Sequence, residues 1–445
     1  MKKKLAAAIA IALVASPALA TNGLRMVAFS PLNASLGGAG AAFGMDSSAL
    51  VLNPATLCDL GGRTDFGAAY FPTTIKYSAT NSYLGTGVPA LEGLGRLIVN
   101  QPGTEIESDF PPVPIPNIGL VIPFGQDLRL GVGMASMAGA GVDYPANLLS
   151  STVQSTYLNF RFPIGASYRL LDGLLALGAS LNASWAMLGY SFGASVGLPP
   201  HPVASSFGIG FTLGAKVQPL PFLAIGLTYE SPTWFQPFKY NIGPSSPLGA
   251  VPFPPGLPGG QEELQFNLPW SSTLGVQVTL LDGRLLLVGD VQYIAWSTTL
   301  GVGQPSFVNG SATMTSQFFP FSTNWSDQWV FKVGVQGQLP GAADFVKLRA
   351  GFNYGKSPAD PDRALENVAF PAIAESHLTL GAGFQVTKAI VINVASVIGF
   401  ENTISGTAQL PNLGPIVGQP VPQGTFSSTI SASGYTLEAG VSVTF

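Results

Sequence analysis

The sequence predicts an all-β fold, a transmembrane antiparallel β-barrel of about 14 strands, from three observations. Charged residues make up only 9% of the chain, against roughly 25% in an ordinary globular protein. Hydrophobic residues make up 47%, yet after the first 20 residues no apolar run reaches the ~20 residues that a membrane helix needs. Apolar and polar side chains instead alternate with a period of two, which is typical of strands with one lipid-facing side.

The C-terminal segment shows this alternation most clearly. From Phe445 back to Tyr435, every second residue is apolar or aromatic, and the residues between them are small, hydroxyl-bearing or acidic. The same pattern recurs in Leu223–Glu230, Leu274–Leu280 and Trp329–Gln336. Stacked soluble β-sandwiches would need polar outer faces, so the pattern favours a barrel. The terminal Phe also resembles the sorting signal of outer-membrane barrels, which predicts the barrel-assembly machinery as a partner.

Two kinds of connection separate the predicted strands. Six short connections carry hairpin turn chemistry, at residues 125–127, 171–173, 219–221, 281–283, 340–344 and 387–388. They alternate with seven long loops, and this alternation requires 14 strands. Because the number is even, both termini are expected on the periplasmic side of a bacterial outer membrane. The membrane's lipid and lipopolysaccharide are expected partners of the barrel.

The first 20 residues have the features of a secretory signal peptide. A charged start, Lys2–Lys4, precedes the apolar run Leu5–Val14 and the cleavage site Ala18-Leu19-Ala20. Position 21 is Thr rather than Cys, so nothing marks the mature terminus for lipid attachment. We expect a signal peptide at 1–20, a plug-like N-terminal segment at 21–61 and the barrel at 62–445.

Composition argues against several other functions. The net charge of −4 gives no basic footprint for nucleic acid. The single cysteine, Cys58, excludes an internal disulfide and is expected to be a buried small apolar side chain. His201 and His377 lack metal-ligand spacing, and no G-x-S-x-G motif is present. We therefore predict no enzyme, catalytic residue, cofactor or metal, and a lipid-active barrel enzyme ranks last.

One long loop, residues 237–262, combines seven prolines with apolar residues. It has two interpretations of equal weight: an exposed extracellular loop, or a loop that captures an apolar ligand outside the cell. In the second case Phe235, Phe238 and Phe253 are candidate ligand contacts.

The opening residues TNGLRMVAFSPLNASLGGAGAAFGMDSSALVLNPATL resemble the N-terminal hatch of the FadL-type family of outer-membrane transporters for hydrophobic compounds. The matching motifs are Gly37-Gly38-Ala39-Gly40 and Asn53-Pro54-Ala55, and similar strand–turn–strand segments follow at 165–183, 268–297 and 348–384. The resemblance implies a monomeric barrel with a helical hatch inside its lumen. It also implies passive uptake of long-chain fatty acids or of aromatic and aliphatic hydrocarbons.

The resemblance also assigns roles to residues. Gly37, Gly38, Gly40, Asn53, Pro54 and Ala55 would form the gate, and Phe29, Arg161, Lys332 and Arg349 would contact the ligand. Ligand would leave sideways where the third strand kinks, at Gly139 and Gly141, although these glycines could equally pack against the hatch. The segment 181–198 contains no cation to hold a carboxylate, so neutral hydrocarbons stay open as ligands. The alternative function is a structural or adhesive surface barrel with a closed lumen.

Overall fold

The computed structural model describes residues 21–148, 151–191, 200–243, 260–301, 306–310, 323–338, 345–363, 367–410 and 420–445. Fourteen long strands occur in this part of the chain. They are β1 (Arg63–Phe71 and Thr73–Asn81), β2 (Val113–Phe124), β3 (Leu128–Tyr144), β4 (Val153–Leu170), β5 (Leu175–Ser191), β6 (His201–Leu220), β7 (Leu223–Glu230), β8 (Ser271–Leu280), β9 (Leu285–Ile294), β10 (Gln328–Gln338), β11 (Val346–Gly355), β12 (Ser376–Gln385), β13 (Ile390–Gln409) and β14 (Thr425–Thr444).

The strands form a closed antiparallel barrel, as predicted. Each strand pairs with the next along the chain, and β14 pairs with both segments of β1, from Thr444↔Arg63 to Phe426↔Asn81. Short turns join the strands at one end of the barrel and long loops at the other, and we call these the short-turn end and the long-loop end. The short turns predicted at 125–127, 171–173, 219–221, 281–283 and 387–388 are therefore confirmed, and the turn predicted at 340–344 lies outside the described residues.

Alternation along the strands separates a lipid-facing side from a lumen side. On β10, Phe331 and Val333 are 49% and 55% exposed, whereas Lys332 between them is 5% exposed. A row of aromatic rings on the outer face links Tyr229, Trp270, Tyr293 and Trp329, with centroids 6.1, 5.3 and 5.0 Å apart. Such a row is typical of the girdle that marks a membrane interface.

The helices of the described residues are short. They are α1 (Pro31–Ala34), α2 (Ala49–Leu52), α3 (Pro89–Ile98) and α4 (Ser297–Leu300), with 3-10 turns at Pro54–Asp59, Leu171–Gly173 and Pro361–Arg363. In this part of the chain no helix is both long and apolar enough to cross a membrane. The amphipathic α3 belongs to the first long loop and buries Gly95 and Ile98.

An apolar cluster, which we call the outer cluster, fills the long-loop half of the lumen. Its largest buried side chains are Tyr77, Tyr144, Tyr157, Phe238, Tyr240, Phe266, Trp296, Trp325 and Phe426. Rings meet edge-on or tilted, with Tyr77–Tyr144 centroids 4.6 Å apart and Tyr157–Phe266 centroids 4.9 Å apart. A small sheet of Phe238–Ile242, Gly260–Gln265 and Ser306–Gly310 lies among the long loops and contributes Phe238 and Tyr240.

The N-terminal segment, residues 21–61, runs inside the short-turn half of the lumen, and we call it the hatch. Ser30 caps α1 by accepting a hydrogen bond from the Asn33 N–H, and Pro31 occupies the first helical position. Gly37 and Gly38 follow with φ of 70° and 77°. Only glycine adopts this left-handed conformation at low cost, so the chain can turn sharply here.

The barrel wall meets the hatch through glycines, which we call the glycine belt. Eleven strands each contribute one: Gly119, Gly131, Gly165, Gly178, Gly214, Gly226, Gly275, Gly334, Gly351, Gly381 and Gly440. A Cβ added at any of them would lie within 3.1 Å of a hatch atom. At Gly226 it would overlap the Ala41 carbonyl oxygen, and at Gly351 the Gly37 nitrogen. The small lumen-side residues of the sequence therefore let the hatch backbone lie directly on the wall.

The three remaining strands hold the hatch with other side chains. On β9, one Asp290 carboxylate oxygen accepts hydrogen bonds from the Gly40 and Ala41 N–H groups at 2.8 and 3.1 Å. On β1, Asp65 accepts from the Ser47 N–H at 2.8 Å. On β13, buried Ala395 and Val397 pack with Val27 and Ala34 of the hatch. All fourteen strands thus contact the hatch.

Gly226→Ala tests the glycine belt. The added methyl group would overlap the Ala41 carbonyl, a backbone atom that cannot rotate away, so the hatch must shift from its seat. We expect measurable ion conductance in planar bilayers, where the wild-type barrel stays closed. Gly289→Ala on the outer face of β9 is the matched control, because its Cβ would have no neighbour closer than 3.6 Å. Equal conductance of the two variants would contradict the belt.

Candidate functional site

A buried charge cluster lies between the hatch and the outer cluster. Glu230, at the end of β7, accepts from Arg25 of the hatch at 2.5 Å and lies 2.8 Å from an Arg161 nitrogen of β4. Arg161 also donates to the Thr233 hydroxyl at 3.0 Å. Arg161 is 1% exposed and Glu230 4% exposed. Buried charges persist only when they are paired, so one carboxylate neutralises part of two guanidinium groups here.

Two further opposite charges, Lys332 and Asp290, extend this cluster toward the hatch. Lys332 on β10 lies directly opposite Asp290 on β9, and both face the lumen. Lys332 donates to the Gly38 carbonyl at 3.4 Å, while Asp290 accepts the hatch N–H groups described above. Arg25 and Glu230 are also within electrostatic reach of Lys332. The structure thus brings together two candidate ligand contacts, Arg161 and Lys332, at the surface of the hatch that faces the long-loop end.

The Asn53-Pro54-Ala55 motif connects the hatch to the wall. The Asn53 side chain accepts from the Ala55 N–H at 3.0 Å and donates to the Ala41 and Ala215 carbonyls at 2.5 and 3.1 Å. Pro54 occupies the first position of the 3-10 turn Pro54–Asp59. One amide side chain therefore links two hatch segments to β6, and Gly214 leaves the space for it.

The other candidate ligand residues are spread through the lumen. Phe29 belongs to the hatch and packs with Met26, Val51 and Met137. Phe235 and Phe238 lie in the outer cluster, with ring centroids 6.2 Å apart. Phe253 is outside the described residues.

Arg349 lies away from this group. It lies on β11, two residues closer to the short-turn end than Gly351 of the belt. There it donates hydrogen bonds to Gln336 at 2.7 Å and to Asn393 at 3.1 Å. The hatch therefore separates it from Arg161 and Lys332.

A window opens in the wall between β2 and β3. The two strands pair from Phe124↔Leu128 only as far as Ile118↔Met134. Beyond this point, β2 continues along β1, and β3 continues along β4 to Tyr144. Within the window the hatch borders β3, because Arg25 pairs with Ala138 and the Gly139 N–H bonds the Leu24 carbonyl at 3.0 Å.

The window coincides with an irregularity in β3. The register with β4 shifts between Ser136 and Ala138, so that Met137 is an extra residue, as in a β-bulge. Gly139 and Gly141 themselves remain paired with Leu158 and Thr156. The kink residues that the sequence suggested therefore lie two and four positions beyond the observed shift.

Alternating prolines explain why β2 stops pairing with β3. Pro112, Pro114 and Pro116 occupy every second position, and β1 pairs with this stretch from Val113 to Asn117. In an antiparallel sheet the N–H groups of alternate residues point to opposite neighbours. The prolines, which have no N–H, therefore occupy the positions that would donate toward β3.

A narrow cavity passes through the window. It touches Thr21 and Pro371 on the lumen side, and Leu158, which shares the outward face of β4 with Phe162 and Ile164. Its volume is about 50 Å³, whereas a cavity that holds benzene measures about 150 Å³. The cavity is therefore too small to hold a benzene ring.

The single cysteine and His201 contact neighbouring side chains in the structure. The Cys58 sulfur lies 3.0 Å from the Ser167 hydroxyl, and burial raises the pKa of its thiol. His201 meets Glu262 at 2.6 Å and stacks on Tyr190, with centroids 4.2 Å apart. Among the described residues, no three His, Cys, Asp or Glu side chains are grouped so as to hold a metal ion.

The chain is similar to known proteins in both sequence and fold. Residues 200–445 match the sequence model of a family described as outer membrane protein transport protein (OMPP1/FadL/TodX). The chain belongs to this family. The match covers more than half of the chain, including β6 to β14. The resemblance that the sequence suggested is therefore confirmed, and with it an outer-membrane β-barrel of a transport family.

Solved structures of FadL-type proteins share the fold. A FadL homologue of Pseudomonas aeruginosa is 17% identical over 95% of this chain and 100% of its own, with a TM-score of 0.71. The Pseudomonas putida toluene transporter TodX is 18% identical over 94% of this chain and 99% of its own, with a TM-score of 0.67. The Ralstonia pickettii toluene transporter TbuX is 19% identical over the same shares, with a TM-score of 0.60. A search of curated protein sequences found no match.

The sequence alone did not identify Arg25, Glu230 and Asp290 as members of the charge cluster, nor the window. Glu230 ends an alternating strand on its lumen side, and this position could have marked it. Arg25 and Asp290 gave no such signal, because their partners lie 205 and 250 residues away. The window had a signal in the alternating prolines before Ile118.

Removing the shared carboxylate tests the charge cluster. Glu230→Ala leaves Arg25 and Arg161 buried without a carboxylate, so the free energy of unfolding should fall by about 3 to 5 kcal/mol. Urea titration in detergent micelles measures it. Glu105→Ala is the control, because Glu105 forms an exposed pair with Lys76 and should have no measurable effect. Equal stability of both variants would show that the cluster is not a structural element.

Proposed function

We propose that this chain is a passive, ATP-independent outer-membrane channel for hydrophobic small molecules. It acts as a monomer without catalytic activity. The observation that carries the proposal is the combination of a lumen filled by the hatch and a cavity that crosses the wall between β2 and β3. A ligand that enters from the long-loop end cannot pass the hatch without displacing it, whereas the window leads sideways into lipid.

The proposed path has three stages. Long loops with buried Phe235 and Phe238 capture the ligand, which then reaches the surface of the hatch near Phe29, Arg161 and Lys332. Residues 21–61 act as the gate between the lumen and the periplasm, with the barrel at 62–445. The ligand then leaves through the β2–β3 window. An apolar solute remains in apolar surroundings throughout, so it avoids the cost of release into water.

The charge cluster favours neutral ligands over carboxylates. Glu230 occupies both guanidinium groups, and Asp290 lies opposite Lys332, so each cation has a carboxylate within its reach. A fatty acid would have to compete with Glu230 for Arg25 and Arg161. We therefore propose aromatic and aliphatic hydrocarbons as the preferred class, with long-chain fatty acids second. Among the structural relatives, TodX and TbuX are described as toluene transporters.

A structural or adhesive barrel is the second candidate. The close packing of hatch and outer cluster favours it, because a closed lumen needs no transport path. Uptake measurements separate the two functions.

Uptake of labelled compounds tests the proposed function. Cells that produce the protein should take up toluene and alkanes faster than cells without it, and should gain less for oleate. The amount of folded barrel in the membrane is measured from the heat-dependent shift of its mobility on gels. Equal uptake of every compound in both strains would favour the adhesive barrel.

One substitution should shift the preference from neutral ligands toward carboxylates. Glu230→Gln keeps the side chain's size but frees two guanidinium groups to bind a carboxylate. The ratio of oleate uptake to toluene uptake should therefore rise, while Glu105→Gln leaves it unchanged. An unchanged ratio in the Glu230 variant would contradict recognition at this cluster.

A further inference from the structure

The segment that bounds the window at its long-loop margin is a strap, residues 106–110, that runs from β1 to β3. The Ser108 N–H bonds the Ile75 carbonyl of β1 at 2.8 Å, and the Asp109 N–H bonds the Asp143 carbonyl of β3 at 2.8 Å. The Ser108 hydroxyl in turn accepts from the Asp143 N–H at 2.9 Å. The strap thus closes the wall where β2 does not.

The strap places an aromatic ring on β3. A Cβ added at Gly141 would overlap the ring of Phe110, so the ring lies directly against the Gly141 backbone. Gly141 pairs with Thr156, which shares the outward side of β4 with Leu158. Phe110 therefore covers the outer face of β3 rather than its lumen face.

The ring also lines the cavity that crosses the wall. Phe110, Gly141 and Leu158 line its outer part, and Gly23, Met26 and Pro371 its inner part. At about 50 Å³ the cavity is too small for a benzene ring, so a side chain must move before a ligand can pass. Phe110 is half-buried and belongs to the strap rather than to a paired strand. Its rotation would require no break in the barrel ladder.

We propose that the Phe110 ring, seated on Gly141, is the outer door of the β2–β3 window and limits the rate at which ligand leaves. This inference rests on the proposed function, because it presupposes sideways exit. Gly141 is the seat of the door, since any side chain there would displace the ring. Gly139 is not part of it, because its Cβ would make only ordinary contacts at 3.5 and 3.6 Å.

Four variants test the door in a toluene-uptake assay with equal amounts of folded barrel. Phe110→Ala removes the ring, and Gly141→Ala forces it aside, so each should raise the initial uptake rate roughly threefold or more, as expected when a gate limits turnover. Gly289→Ala, on the outer face of β9 and outside the lining of the cavity, should keep the wild-type rate. The double variant of Phe110→Ala and Gly141→Ala should be no faster than Phe110→Ala alone, because both changes act on one ring. If Phe110→Ala does not fold, Phe110→Leu replaces it.

The outcomes separate the door from the transport function. Wild-type uptake equal to that of cells lacking the protein overturns the proposed function and the door with it. Wild-type uptake above that background, with both single variants at the wild-type rate, overturns the door alone. Additive effects of the two substitutions, or an equal gain from Gly289→Ala, also overturn it.

Discussion

The contact between the hatch backbone and the glycine belt determines most of this structure. A lumen of 14 strands has room for a folded segment only if the facing wall positions carry almost no side chain, and eleven strands place a glycine there. Asp65 and Asp290 supply the acceptors that the hatch N–H groups need in a buried setting. Eleven of the chain's 54 glycines serve this one packing requirement.

A sealed lumen has two consequences for function. Charges at the hatch surface need oppositely charged neighbours within the protein, because they are buried. Glu230 and Asp290 therefore lie against Arg25, Arg161 and Lys332. For the proposed function, ligand must also use another route, and we propose the β2–β3 window, where the prolines of β2 remove the donors that would extend its pairing with β3. The bulge at Met137 and the edge contact of Leu24 with Gly139 lie in the same window.

The fold could be predicted from the sequence because strand alternation and turn chemistry are local signals. Phe331 and Val333 alternate with Lys332 in both pattern and exposure, and the five short turns within the described residues lie where they were expected. The site was harder to predict from the sequence because its contacts join residues that are distant along the chain. The family resemblance named Arg161 and Lys332 as candidate ligand contacts. Glu230 and Asp290 determine how available these cations are, and their positions depend on pairings across the barrel. The position of the β3 irregularity also depends on its partner strand, which local sequence does not show.

The central claim is that ligand crosses the wall while the hatch stays in place. The most direct test records ionic current and toluene transfer at once, with the wild-type barrel in a planar bilayer and toluene added on the long-loop side. We expect toluene transfer into the bilayer with no conductance above the protein-free baseline. A conductance that appears with toluene and grows with its concentration would show that the hatch leaves the lumen, and would contradict exit through the β2–β3 window.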